Sequence, residues 1–344
     1  MNIKILLEHD LFTNIPEISG NNIIVFLESN FSEYLGYLEN LDLDSPVTTE
    51  INNNLSIITD FSEIVIESIK CYLKGQPSIA YKIFSDVMDS IWENHLKLFS
   101  SKILQTNSTS LFRCRVAEKD KIFDKNDLFH IPLDKRNLIQ NQRYSINGHP
   151  SLYLGSSLLD CWLELNEPPI QKLVTSRYFL KHRNINVLDL AIDYKVIPKG
   201  LETIENDNYF QNWINEGIYT KFILFPLILA VSLRSNPIDS FKVEYIIPQL
   251  LLEWVTSNKD VDCIKYYSTR NYCNLNDTTH LTNYVFPVKS FRMEGYCQKL
   301  DELFSRSEPF VVDDPDLYID PSHSEKILPN YYESIFHEIE EKNR

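Results

Sequence analysis

Glycine is scarce in this chain, with 8 in 344 residues, and basic residues are outnumbered, 33 Lys and Arg against 48 Asp and Glu. Neither common glycine-rich phosphate loop is present, which disfavours a Rossmann or P-loop nucleotide site. The formal charge of −15 argues against binding to nucleic acid or to an anionic membrane. No apolar run is long enough to span a bilayer. The best, Phe222 to Leu233, contains Pro226 and reads as a buried core segment. The six cysteines make no C-x-x-C pair and keep no zinc spacing with the 8 histidines, so no metal is expected. The start, MNIKILLEHD, is too short and too soon acidic for a secretory signal. A reduced, cytoplasmic protein is the simplest expectation.

Arginine is missing from the first third. Residues 1–105 hold 6 Lys and no Arg against 15 Asp and Glu, so most of the net charge sits there. From Phe61 the apolar residues Ile64, Val65, Ile69 and Tyr72 recur at helical spacing, and the helix should stop near Gly75-Gln76-Pro77. A second helix follows from Ser78, with Phe84, Val87, Met88, Ile91 and Trp92 on one face. The two form a helical hairpin that needs a partner surface. Such a piece resembles the HEPN-like modules found ahead of certain toxin domains. Nucleolytic members use an Arg followed closely by His; His95 has no such partner, so the resemblance implies a scaffold and no ribonuclease site. The polar run Gln105 to Ser110 marks a boundary, giving a helical domain over 1–105.

Between Arg113 and Arg143 the charge balance reverses to +3. A local basic patch in an acidic chain suits a small anionic ligand better than a polymer, although an exposed charged loop is the ordinary alternative. Asn147-Gly148 is a strong turn signal, and Leu152-Tyr153-Leu154 reads as a strand. Ser157 can cap a helix with Asp160 three residues on, and Leu158, Cys161, Trp162 and Leu165 then form its buried stripe. Glu164 points away from that stripe, toward a cleft edge or solvent.

Taken together, Phe112-Arg113, Arg143-Tyr144-Ser145, Gly148-His149-Pro150, Leu152-Tyr153-Leu154, Glu164 and Tyr266-Tyr267-Ser268 closely resemble the RES-domain family of toxins, over about residues 111–290. Gln142 departs from the pattern, standing where Gly is common, and Tyr144-Ser145 replaces Trp-Asn. The resemblance implies an α+β chain: an ADP-ribosyltransferase-like mixed β core with flanking helices over 106–300, preceded by the all-α N-terminal domain and followed by a C-terminal arm over 301–344. It also implies NAD as substrate and cleavage of the bond between nicotinamide and ribose. Glu164 would be the catalytic carboxylate, with Arg113 and Tyr153 beside it. Arg113, Arg143, Tyr144, Tyr153 and Ser268 would bind NAD.

Cleaving that bond builds an oxocarbenium-like ribose while a neutral base leaves, so the site must grip a pyrophosphate and place negative charge by the developing cation. Arginine grips phosphate oxygens bidentately as lysine cannot, and Arg115 could replace Arg113 if the register differs. Each residue has an ordinary alternative: a surface ion pair for the arginines, core packing for Tyr153, solubility for Glu164, a turn for Ser268. His130 reads as a positioned structural residue, and neither it nor His149 is expected to be catalytic. The partners implied are NAD and either an antitoxin or self-inhibition by the N-terminal domain, with homo-oligomerisation left open. A protein ADP-ribosyltransferase and a non-catalytic interaction module are the alternatives. Elsewhere, Val187 to Leu190 reads as a strand, Asn212 to Leu233 as one or two helices broken at Pro226, and Pro248 limits any central strand within Phe241 to Trp254.

Overall fold

The computed structural model describes residues 22–41, 46–96, 110–118, 121–181, 185–191, 208–236, 238–268, 282–290 and 292–311, with the side chains of 110 and 208–217 left aside. Four helices come first: α1 Ile23–Glu39, α2 Pro46–Asn53, α3 Leu55–Leu73 and α4 Pro77–Ile91, the last continued by a π turn at Trp92–Leu96. Asn22 caps α1, its side chain accepting from the Ile24 and Val25 amides at 3.1 and 3.4 Å. The expected hairpin is α3 and α4. Gly75, at φ 77°, lets the Gln76 amide reach back to the Cys71 carbonyl at 3.0 Å, and Pro77 at the start of α4 fits where no amide is needed. Helices α1 and α2, where the periodicity is weak, are also present.

The remainder is a mixed sheet with helices, so the chain is α+β as expected. Its strands are β1 Ser110–Val116, β2 Ser151–Gly155, β3 Leu173–Leu180, β4 Val187–Asp189, β5 Cys263–Tyr267, β6 Thr282–Pro287, β7 Phe304–Arg306 and β8 Phe310–Val311. The spatial order is β4-β5-β6-β2-β1-β3-β7, with β8 also on β3. Only β4 and β5 run parallel among these pairs. Strands β1 and β3 pair from Ser110↔Phe179 to Val116↔Leu173, and β2 and β6 from Ser151↔Pro287 to Gly155↔Asn283. Strands β1 and β2, by contrast, pair at Phe112↔Gly155 alone. The sheet is therefore split along most of that seam.

Helix α5, Leu158–Glu164, bridges the closed end of the split. It starts as expected: the Ser157 hydroxyl accepts from the Asp160 amide at 3.1 Å, and the Asp160 carboxylate accepts from the Ser157 amide at 3.0 Å. Two larger helices follow, α6 Asn208–Ser232 and α7 Ile246–Ser257; a short α8, Gln298–Leu303, precedes β7. The segment from Asn212 is one helix that carries Pro226 inside it, because Phe222 to Val231 are all buried and tertiary packing outweighs the lost backbone bond. Pro248 lies in the first turn of α7, where a helix tolerates proline, and so Phe241 to Trp254 ends in helix.

The core does not divide at residue 105. A single apolar cluster joins α1–α4 to α6 and α7, and reaches Leu188, Ile264 and Val285 on one face of the sheet. The Tyr34 hydroxyl donates to the Phe222 carbonyl at 2.7 Å, and its ring lies 4.2 Å from that of Phe225. Trp92 and Trp254 meet edge to face at 6.1 Å, and the Trp254 indole donates to Asp89 at 2.8 Å. The partner surface that the hairpin needs is thus supplied by helices inserted between later strands. Alternate residues Cys263, Tyr284 and Phe286 face the other side of the sheet, with Leu152, Tyr178 and Phe304. The expected C-terminal arm needs a correction at its start, because residues 304–311 pair with β3 and close the sheet edge. Residues 312–344, including the acidic run at Asp313 and the expected helix around Tyr331, lie outside the described residues. Among the described residues, no helix is long and apolar enough to cross a membrane.

Candidate active site

A cavity of about 760 Å³ opens along the split between β1 and β2. Strand β1 contributes Arg113 and Arg115, β2 contributes Tyr153, α5 contributes Glu164, and β6 contributes Asn283. Its size suits a small-molecule ligand. Glu164 is the only carboxylate among the described lining residues, which otherwise include Arg113, Arg115, Arg143, Arg234 and Lys242. An acidic chain therefore presents a cationic cavity with one negative group in its wall.

The sequence places Glu164 and Ser268 more than a hundred residues apart; the fold brings them into contact. The Ser268 hydroxyl donates to Glu164 Oε1 at 2.6 Å, and the Asn283 amide donates to the same oxygen at 2.9 Å. Both donors hold the carboxylate in one orientation. Asn283 is not among the site residues the sequence points to, although a lone polar residue opening the apolar strand Asn283-Tyr284-Val285-Phe286 is a usable signal. Tyr266 also lines the cavity, and burial and the nearby Glu164 charge push its phenol well above its ordinary pKa.

Arg113 sits at the seam, where NH1 donates to the Tyr153 carbonyl at 2.9 Å, a strand group that the split leaves without a ladder partner on that side. Its Nε is buried and makes no hydrogen bond to the described residues. Burial lowers its pKa from the ordinary arginine value, so an anionic oxygen would relieve both the charge and the unpaired donor. The Tyr153 ring lines the cavity while its hydroxyl donates to the Tyr144 carbonyl.

Two of the expected NAD-binding residues have other engagements. Arg143 lines the cavity, but its guanidinium caps the end of α6, donating to Val231 and Leu233 carbonyls at 2.8 and 2.7 Å. Tyr144 is fully buried, its ring 4.4 Å from that of Tyr266, and it is not among the lining residues. Its expected direct contact with NAD is corrected to support of the wall from behind. His130 is structural: Nδ1 meets the Ile131 carbonyl at 2.8 Å and Nε2 accepts from the Cys297 amide at 2.8 Å, while burial lowers its pKa to about 4. His149 lines the cavity with Nε2 on the Val288 carbonyl at 2.6 Å. Among the described residues, none before Arg113 lines the cavity.

Comparison with known proteins adds one relative. "Putative toxin YopC" of Bacillus subtilis (strain 168) is 32% identical over 310 residues, covering 86% of this chain and 67% of its own. The chain belongs to the YopC family. No family model matches the sequence, and no solved structure matches either. The YopC relationship runs over most of the chain, so it takes in helical and sheet-bearing parts together, in keeping with their common core. Among the described residues, no group of His, Cys, Asp or Glu could hold a metal ion.

Proposed function

We propose that this member of the YopC family is a toxin of the RES type, with an ADP-ribosyltransferase-like catalytic part that cleaves the nicotinamide–ribose bond of NAD in the cytoplasm. The observation that carries the reading is the Glu164 carboxylate, fixed by Ser268 and Asn283 in a wall otherwise furnished with cations. That arrangement answers the two demands of the reaction, a grip on pyrophosphate and negative charge beside a developing ribosyl cation.

In the reaction the bond between ribose C1′ and the nicotinamide nitrogen breaks, and its electron pair goes to the nitrogen, neutralising the pyridinium. Glu164 offsets the positive charge left on the ribose. An acceptor oxygen then bonds to C1′ and loses its proton to solvent; with water, NAD becomes ADP-ribose, nicotinamide and one proton. Arg113 supplies guanidinium donors to the pyrophosphate, and the Tyr153 ring offers a face for nicotinamide or ribose. An antitoxin protein or self-inhibition by the N-terminal part is the expected means of control.

Proton NMR of NAD incubated with the full chain, with and without phosphate, tests this. Nicotinamide should appear with the wild type and fall by roughly 10²–10³-fold in Glu164→Gln. Equal release by both proteins, or none by the wild type in the presence of phosphate or a protein acceptor, would refute it. Labelled protein in place of free ADP-ribose would instead identify a protein ADP-ribosyltransferase.

A further inference from the structure

Arg115 stands two residues beyond Arg113 on the same face of β1, and both line the cavity. At the rise of a strand their backbones are about 6.5 Å apart. Moving away from the closed end at Phe112↔Gly155, the split passes first Arg113 and then Arg115. The two are therefore neighbours along one wall and do not compete for one place. They also sense each other: burial, and after it the Arg115 charge, lowers the pKa of Arg113.

Arg115 is half-buried, yet it has no hydrogen bond or ion pair among the described residues. Its charge reaches the Asp127 carboxylate, but Lys121 already pairs with that group at 3.0 Å. Two further polar atoms of the cavity wall are buried with no partner among the described residues, Arg113 Nε and, on β2, Ser151 Oγ. Hydrogen-bonding groups left unmade in a buried wall are costly, and an anion rich in oxygen atoms would offset that cost.

We propose that Arg113 and Arg115 form a clamp for the two phosphates of a pyrophosphate, one guanidinium to each, so that the cavity selects pyrophosphate-bridged dinucleotides over mononucleotides. The two phosphates share a bridging oxygen and each bears negative charge. Two guanidinium forks on successive positions of one strand face match them in number and in sign. A single arginine would hold a monophosphate as well as it holds half of the bridge, and it would not discriminate. Ser151 adds a hydroxyl from the other side of the split. The choice of a dinucleotide substrate rests on the NAD-cleavage reading; the capacity to hold pyrophosphate does not.

Calorimetric titration of the full chain with inorganic pyrophosphate and with inorganic phosphate is the first arm, on wild type, Arg115→Met and Arg115→Lys. Wild type should bind pyrophosphate more tightly than phosphate by roughly tenfold or more, and Arg115→Met should lose that preference. Arg115→Lys keeps the charge and loses the fork, so its preference should fall between the two. The second arm measures nicotinamide release from NAD and from nicotinamide mononucleotide, which has the same scissile bond and a single phosphate. The NAD-to-mononucleotide ratio of kcat/KM should fall by roughly tenfold in Arg115→Met. Equal pyrophosphate affinity in wild type and Arg115→Met, no pyrophosphate binding by the wild type, or an unchanged ratio where both substrates are cleaved overturns the proposal. A pyrophosphate preference that depends on Arg115, without nicotinamide release from either substrate, leaves the clamp standing and removes the NAD-cleavage reading.

Discussion

Gly155 is the point at which the two halves of the sheet and helix α5 converge, and adding one methyl group there should be felt at Glu164. It is the residue through which β2 pairs with β1, opposite Phe112. A Cβ at this position would meet Cys161 Sγ at 2.8 Å, Asp160 Cβ at 3.1 Å and the Ser157 carbonyl oxygen at 3.1 Å. All three belong to the beginning of α5 and its cap, and the thiol is itself buried and donates to the Phe112 carbonyl at 3.3 Å. The helix must therefore shift as a unit. Overpacking of this kind costs about 1–3 kcal/mol. Alanine recovers about 0.4–1 kcal/mol by restricting the unfolded chain, which leaves a net loss of about 1.3 kcal/mol at the middle of both ranges. For a chain of this size that is a fall of roughly 1–5 °C in Tm, read by calorimetry. Because Glu164 closes the same short helix, kcat for nicotinamide release should fall by roughly tenfold as the carboxylate moves off its position. Cys161→Ala in the Gly155→Ala background removes the closest atom, so the two substitutions should couple by about 1 kcal/mol in the favourable direction. A Gly155→Ala protein as stable as wild type, or strict additivity with Cys161→Ala, would refute the close-approach argument.

Four further outcomes follow from the same geometry. Burial raises the Asp160 carboxyl to about 7, against three hydrogen bonds from Ser156 and Ser157 that lower it. A carboxyl raised on folding contributes stability that is complete below about pH 4 and is lost as pH rises toward 7, so the Tm of wild type minus that of Asp160→Asn should decline across that window. His130 has the opposite sign: held neutral with its pKa at about 4, it should cost stability as pH falls from about 6.5 to 4, and His130→Gln should flatten that acid limb. Lys265 and Asp189 form a largely buried ion pair at 3.0 Å on the parallel edge, with the buried Lys221 charge also acting on Asp189, so Lys265→Met should destabilise in urea titrations by less than the about 3–5 kcal/mol of a wholly uncompensated buried charge. Ser268→Ala and Asn283→Ala each remove a donor that positions Glu164 and should lower kcat by roughly tenfold with little change in KM for NAD, a split that a merely structural loss would not give.

What could be read in advance was local. The helical hairpin at 61–92, the cap at Ser157, the short strand at Tyr153 and the outward setting of Glu164 all depend on residues within a few positions of one another, where spacing and capping chemistry decide. A multi-part family pattern picks out Glu164 and Ser268 separately, but that the serine donates to the carboxylate is a matter of tertiary approach. Asn283 was missed because a single Asn at a strand start has many ordinary explanations. The domain boundary was drawn on a polar segment, and polarity of a connection says nothing about which later helices cover the apolar faces before it. Arg143 was assigned to phosphate by its residue type, whereas its place under the last carbonyls of α6 is a matter of tertiary approach. The loop from Arg234 to Tyr245 carries no motif at all, and only the fold brings Arg234 and Lys242 to the cavity.

The contacts that join the two ends of the chain also bear on its birth at the ribosome. Helices α1 to α4 emerge before α6 and α7, yet Tyr34 waits for a partner 188 residues later and Asp89 for one 165 residues later. Until α6 and α7 have been made, the apolar faces of the early helices have nothing to cover them, and contacts of such long range form slowly. Synthesis that stops early should leave a sticky, chaperone-bound fragment in place of a partly competent one. A frameshift anywhere before about residue 285 would then silence the protein completely, because Ile264 and Val285 still have to join the shared core and Ser268 and Asn283 the Glu164 carboxylate.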